Sequence, residues 1–262
     1  MNILNLLPSY YIEHHYFKEM LSYFDLHIFN SFRIIITHDY NKLPFYGSDV
    51  IVILTAGNEL GIPPRYMNKV KFVFKHQQAK DKIDNVYHIP LTYTNDFNGN
   101  YLISIQDRKY DITFIGRHQK RLDMIQELKT LINFNKYNIY FKDTGTKFSG
   151  GLPIQEYANI LSNTKIALSP VGGKRCECIR FTEAVKCGCA IIACEHPKGM
   201  RVFDNCPANY ISNWNLLEKT VDDILSNKSK LNNIHEQMKI CWESYFSPKA
   251  VATYINKICK GK

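Results

Sequence analysis

The chain has 262 residues, enough for one large or two small domains. Apolar residues make up 45% and aromatics 13%, which excludes a disordered chain and supports a packed core. The formal net charge is +9, yet no run of five basic residues occurs, so a phosphate-bearing small molecule explains the excess better than a nucleic-acid tract does.

In chain order, Ile3–Leu7 is an apolar run stopped by Pro8 and predicts a buried strand. Residues 9–24 place Phe17, Met20, Leu21 and Phe24 at helical spacing. Arg33–Thr37, Asp49–Leu54 and Val70–Phe74 are β-branched or aromatic and predict strands, with a shorter extended piece at Val86–Pro90. The polar stretch Thr92–Arg108 is expected to be a linker between two halves. A new strand at Asp111–Ile115 ends in Gly116, and a helix follows to about Phe134, with Leu122, Ile125, Leu128 and Ile132 as its buried stripe. Asn138–Phe141 predicts a strand, and Pro153 opens a helix to Leu161. Two amphipathic helices are expected around Leu216–Leu225 and Leu231–Tyr245. Asp222-Asp223 falls on the solvated face of the first. Ser247-Pro248 looks like a cap and first turn for a last helix through Cys259. The expected domains are 1–105, 106–246 and a C-terminal helix, 247–262, returning to the first.

Between these pieces lies the most informative stretch, TKIALSPVGGKRCECIRFTEAVKCGCAIIACE, residues 164–195. Its apolar run Ile166–Leu168 leads through Ser169-Pro170 to Gly172-Gly173, then to a helical segment with Arg180 and Glu183. Gly188 stops that helix before the apolar run Ala190–Ala193. This is a βαβ unit, in which a ligand sits beyond the strand's carboxyl end and backbone N–H groups at the helix start favour an anion. Arg180 and Glu183 share one helix face; the first suits a phosphate and the second suits hydroxyls. Spacing alone favours a surface ion pair, worth about 0.2–0.5 kcal/mol.

The wider pattern decides between these. Tyr157, Leu161, Thr164, Lys165, Ile166, Leu168, Pro170 and Gly172, followed by Arg180, Glu183, Ala184, Gly188, Cys189, Ala190, Ile191 and Ile192, resemble the donor half of exostosin-like glycosyltransferases. Cys178 stands where that family usually has Ser. A looser match covers Asp111–His118, DITFIGRH. The resemblance implies α/β architecture of GT-B type, with two Rossmann-like halves facing a cleft and the nucleotide-sugar in the second half. It also implies that Glu183 accepts from ribose hydroxyls. Departure of a diphosphate needs positive charge, for which Arg180, Arg117, Lys142 and the N–H groups at Gly116, Gly172 and Gly173, beside Pro170, are candidates. An inverting transfer also needs a base at a strand end of the first half. Glu59 is the first choice and Asp39 the second, whereas His38 and His76 read as structural.

No D-x-D pair is present, so no cofactor and no essential metal are expected. Six of the eight cysteines fall between Cys176 and Cys206, but their spacing fits a loop, a helix end and a strand better than a zinc turn, so free thiols are expected. The start, MNILNLLPSYY, has no basic region or cleavage site, and no apolar run can span a bilayer. A cytoplasmic location follows as the expectation, with peripheral membrane contact left open. The expected partners are a nucleotide-sugar, UDP-linked, and a glycan acceptor, with no nucleic acid. The stretch DVIVILTAGNELGIPPRY resembles exostosin-like xylosyltransferases, which points to UDP-xylose. A non-catalytic sugar-binding or nucleotide-binding module of the same fold is the main alternative, and a zinc-stapled nucleic-acid binder is a more distant one.

Overall fold

β-Branched and aromatic runs bounded by turn residues become the strands of the protein. The structure is a computed structural model describing residues 1–55, 63–76, 83–146, 151–172, 177–194 and 200–261. The chain opens with β1 (Asn2–Asn5), α1 (His14–Ser22), α2 (Leu26–Phe29), β2 (Arg33–Thr37), β3 (Gly47–Leu54), β4 (Val70–Lys75) and β5 (Val86–His88). These five strands are parallel and lie in the order β1-β2-β3-β4-β5. Ile34, Ile35 and Ile36 of β2 and Val50 through Leu54 of β3 are wholly buried, as in a sheet covered on both faces.

The chain continues with β6 (Tyr110–Gly116), α3 (Leu122–Phe134), β7 (Ile139–Asp143), α4 (Ile154–Ser162), β8 (Thr164–Ser169), α5 (Ile179–Lys186) and β9 (Ala190–Cys194). Then come α6 (Arg201–Asp204), β10 (Asn209–Ile211), α7 (Leu217–Leu225), α8 (Lys228–Cys241) and α9 (Pro248–Lys260). The second sheet is also parallel, in the order β10-β9-β8-β6-β7. Its direction of growth reverses at β6 and β8, and that reversal is where ligands bind in open α/β sheets. The fold class expected from the sequence, α/β with two parallel-sheet units, is the one present.

Residues 1–95, 199–202 and 245–262 form one compact unit, and residues 96–198 and 203–244 form the other. The first break falls inside the polar stretch 92–108. In the first unit α9 packs on α1. There the Tyr16 hydroxyl donates to the Phe246 carbonyl at 2.7 Å and the Asn256 amide donates to the Tyr23 carbonyl at 3.1 Å. Ser247 caps α9, accepting from the Ala250 N–H at 3.1 Å, with Pro248 in the first turn.

Several local expectations change. β1 ends at Asn5, because the chain turns from Pro8, whose carbonyl accepts from the Tyr11 N–H at 2.9 Å; the same turn delays α1 to His14. α8 stops at Cys241 and passes into a wider π-type turn at Trp242–Phe246. Asp222 is not merely solvated, since it accepts from the Tyr137 hydroxyl at 2.6 Å and from Lys136 Nζ at 2.7 Å. The end of α5 follows the sequence reading. Gly188 has φ of +63°, its N–H donates to the Val185 carbonyl and the Cys189 N–H donates to the Ala184 carbonyl, a Schellman closure. A Cβ at Gly188 would also lie 2.8 Å from the His235 ring. No helix among the described residues is long and apolar enough to cross a membrane.

Candidate functional site

At the reversal point of the second sheet, the chain leaves β6 through Gly116 and β8 through Pro170. Arg180, in the first turn of α5, donates through Nε and Nη2 to the Ile115 carbonyl at 3.1 and 2.9 Å. Its guanidinium lies 5.0 Å from the centre of the Phe114 ring. A side chain at Gly116 would collide with that guanidinium, which accounts for the glycine. Arg121, at the start of α3, ties the two exits together. It donates to the Arg117 carbonyl at 3.0 Å, to the Val171 carbonyl at 3.2 and 3.1 Å, and to the Gly172 carbonyl at 3.4 Å.

Arg121 is only 7% exposed. Burial, then the charge of Arg180, then that of Arg117 push its pKa down to about 10. Among the described residues no carboxylate forms an ion pair with Arg121 or Arg180. Two like charges held together in this way create a place where an anion is favoured. The N-terminus of α5, eight residues long, adds its N–H groups to the same edge.

The other candidates in this unit are distributed around that edge. Arg117 is half-buried just after β6. Lys142 is half-buried on the edge strand β7, in register with Ile115. Pro170 is buried and its carbonyl accepts from Cys178 Sγ at 3.8 Å; Gly172 is half-buried, and Gly173 lies outside the described residues. Glu183 is 3% exposed and accepts from the Tyr157 hydroxyl at 2.9 Å. Burial, reinforced by Glu183, drives the Tyr157 phenol far above its ordinary pKa, which keeps it a donor. The carboxylate read as a ribose contact therefore also joins α4 to α5.

In the first unit, Asp39 follows β2. Its carboxylate accepts from the Asn41 N–H at 2.7 Å and the Lys42 N–H at 3.3 Å, and its carbonyl accepts from the Tyr66 hydroxyl at 2.8 Å. It caps a turn, which commits its carboxylate to two backbone N–H groups. Glu59 lies outside the described residues. His38 is exposed and stacks on Tyr11, with ring centres 6.3 Å apart. His76 is fully buried, stacks on Phe17, and brings Nδ1 to 3.8 Å from Glu13 Oε1. Glu13, 1% exposed, also accepts from the Thr92 hydroxyl and from the Thr92 N–H at 3.3 Å.

Sequence reasoning passed over Arg121 and Glu13. Arg121 stood in a cationic cluster directly after a strand, and that was the available signal; nothing in the pattern marks its carbonyl partners fifty residues on. Glu13 carries no signal, because it only precedes a helix.

The cysteines divide by environment. Cys187 and Cys189 are buried; burial pushes the Cys189 thiol up to about 11 and that of Cys187 higher. Cys178 and Cys194 are half-exposed, and Cys176 and His196 lie outside the described residues. Among the described residues no three His, Cys, Asp or Glu side chains gather as a metal site. Cys178 occupies the N-cap of α5, makes no side-chain cap there, and rests 3.2 Å from Ser169 Oγ. A serine would accept a helix N–H far better than a thiol does. Cys178→Ser should therefore raise stability by about 1 kcal/mol in urea unfolding. An unchanged or lower midpoint would show that the thiol's packing matters more than the cap.

No protein-family model matches the sequence, and no curated protein matches it by sequence. Solved structures are similar in fold. A GtfA/B complex chain aligns at TM-score 0.51 and 13% identity, over 87% of this chain and 57% of its own. A glycosyltransferase from Rickettsia africae aligns at TM-score 0.50 and 13% identity, over 99% of this chain and 97% of its own. HepE of Anabaena, in complex with UDP and glucose, aligns at TM-score 0.51 and 9% identity, over 81% and 72%. This chain thus spans little more than half of the GtfA/B chain but nearly all of the Rickettsia one. With two parallel-sheet units and the reversal in the second sheet, the chain has the fold of GT-B glycosyltransferases.

Proposed function

We propose that the protein is a glycosyltransferase that moves a sugar from a UDP-linked donor to a glycan hydroxyl, with inversion and without an essential metal. One observation carries this reading: the arginine pair Arg121 and Arg180 at the reversal of the second sheet, beside the start of α5, without a carboxylate ion pair among the described residues. The UDP and glucose bound by HepE, a protein of similar fold, agree with a nucleotide-sugar donor. The pattern from Tyr157 to Ile192 resembles that of exostosin-like transferases, and the stretch DVIVILTAGNELGIPPRY makes UDP-xylose the first donor to test.

In this reaction the acceptor oxygen forms a bond to the anomeric carbon as the bond from that carbon to the phosphate oxygen breaks. The electron pair of the broken bond leaves with UDP, and the acceptor proton passes to a carboxylate of the first unit. Arg121, Arg180 and the α5 N–H groups meet the charge that grows on the leaving diphosphate. Glu59 is the first candidate for the base. Asp39 is second, because its carboxylate already accepts two turn N–H groups.

Thermal shifts against a panel of UDP-sugars, followed by transfer and donor-hydrolysis assays with and without EDTA, test this. A donor-specific shift and turnover that survives EDTA are expected. A strict requirement for Mn²⁺ or Mg²⁺ would refute the metal-free mechanism. UDP binding with neither transfer nor hydrolysis would leave a non-catalytic nucleotide-binding module.

A further inference from the structure

The second unit contains a cavity of about 400 Å³ between the segment before β6 and α8. Ser104 and Ile105 in its wall precede β6, and His235 of α8 bonds to the Gly188 carbonyl just before β9. The cavity therefore lies at the amino ends of the strands, whereas the arginine pair lies at their carboxyl ends. Strands of this length put roughly 15–20 Å between the two. Leu102, 83% exposed, and Ile105, 1% exposed, both line it, so it runs from the surface to the core.

Its polar groups are individually committed on one side and open on the other. Asn232 accepts from the Gln106 amide at 2.9 Å through Oδ1, which leaves its NH₂ to donate. His235, a lining residue, is 6% exposed and donates from Nδ1 to the Gly188 carbonyl at 2.7 Å, so Nε2 is its remaining acceptor. Burial, together with the charges of Arg108 and Lys239, lowers the His235 pKa and keeps the ring neutral. Glu236 and Lys239 pair at 3.0 Å, which cancels their charge locally. Tyr101 gives its hydroxyl to Glu243 at 2.7 Å, and its ring, with Lys239 Nζ 5.5 Å from the ring centre, forms part of the wall.

The lining is thus neutral overall, alternates donors with acceptors, and includes an aromatic and two aliphatic surfaces. A hydroxyl both donates and accepts, and the C–H face of a pyranose is apolar, so a sugar ring matches each of these groups. An anionic nucleotide would meet a cation, Lys239, that is already paired with Glu236, and a purely apolar molecule would leave Asn232 and His235 without partners. We propose that this cavity is a second ligand site, which binds a neutral sugar ring apart from the donor-nucleotide edge. The inference stands on the lining groups and survives if the transferase reading fails.

The test is ¹⁵N side-chain NMR of His235 in the full chain, titrated with D-glucose, D-xylose, maltose, cellobiose, D-glucuronate and UDP. At least one neutral sugar should shift the Nε2 resonance saturably, and should still do so with UDP saturating. UDP alone should leave it unmoved. Asn232→Ala should weaken that sugar by about tenfold, the loss of one good hydrogen bond, and leave UDP affinity unchanged. Three outcomes would overturn the site: no neutral sugar shifting the resonance, displacement of the sugar by UDP, or full affinity in Asn232→Ala. Failure of UDP to bind at all would count against the proposed function only.

Discussion

Arg121→Ala should lower turnover about 100- to 1,000-fold and weaken UDP binding, the loss typical of one preorganised donor to a developing charge. Two effects add at this position. Its guanidinium supplies positive charge beside Arg180, and it also holds the Arg117, Val171 and Gly172 carbonyls, which places both strand exits. Arg180→Ala should cost turnover by a similar factor with less disturbance, since among the described residues Arg180 holds one carbonyl, that of Ile115. Arg121→Lys keeps the charge but not the planar fork, so it should recover only a small part. UDP affinity by calorimetry and turnover should be measured on each variant, with a melting temperature as control. Wild-type affinity and turnover in folded Arg121→Ala would remove the arginine pair from the donor site.

The largest stability effect is expected at Arg108, a residue with no place in the chemistry. It is 2% exposed and donates to the Thr164 carbonyl at 2.8 Å, the Cys187 carbonyl at 2.7 Å and the Ile103 carbonyl at 3.3 Å. Cys187 ends α5, so the guanidinium sits at the negative end of that helix. Arg108→Met keeps much of the volume but strands these carbonyls, each costing about 1–3 kcal/mol when buried and unmet. A loss of about 3 kcal/mol or more in urea unfolding should result. A loss under about 1 kcal/mol would mean that water replaces the guanidinium.

The unit from β8 to β9 was legible because each signal had a local cause. β-Branched runs made the strands, and Gly188 was needed where φ turns positive. The motif residues Tyr157 and Glu183, far apart in the pattern, meet in one hydrogen bond. Ser247-Pro248 was legible for the same reason, since a cap acts within four residues. What escaped was short or non-local. β10 has three residues and α2 and α6 four each, too few for any periodicity to show. The strand orders also escaped, because register between parallel strands depends on distant partners. Without them, the reversal at β6 and β8 that marks the ligand edge could not be placed. Asp39 was chosen by its position after a strand, and that position equally suits a turn cap, which is its observed role.

The first sheet adds its strands in the order in which they are made, so it can grow at one edge as the chain emerges from the ribosome. Its unit cannot be finished that way. The partner of the Tyr16 hydroxyl, and the helix that packs on α1, come from residues 245–262, about 150 residues after β5. At roughly 5–20 residues per second, the face of α1 that α9 covers waits on the order of ten seconds or more for its cover. During synthesis this protein therefore carries an apolar face of α1 that waits for α9, so ribosome stalling before α9 would leave a sticky half-product.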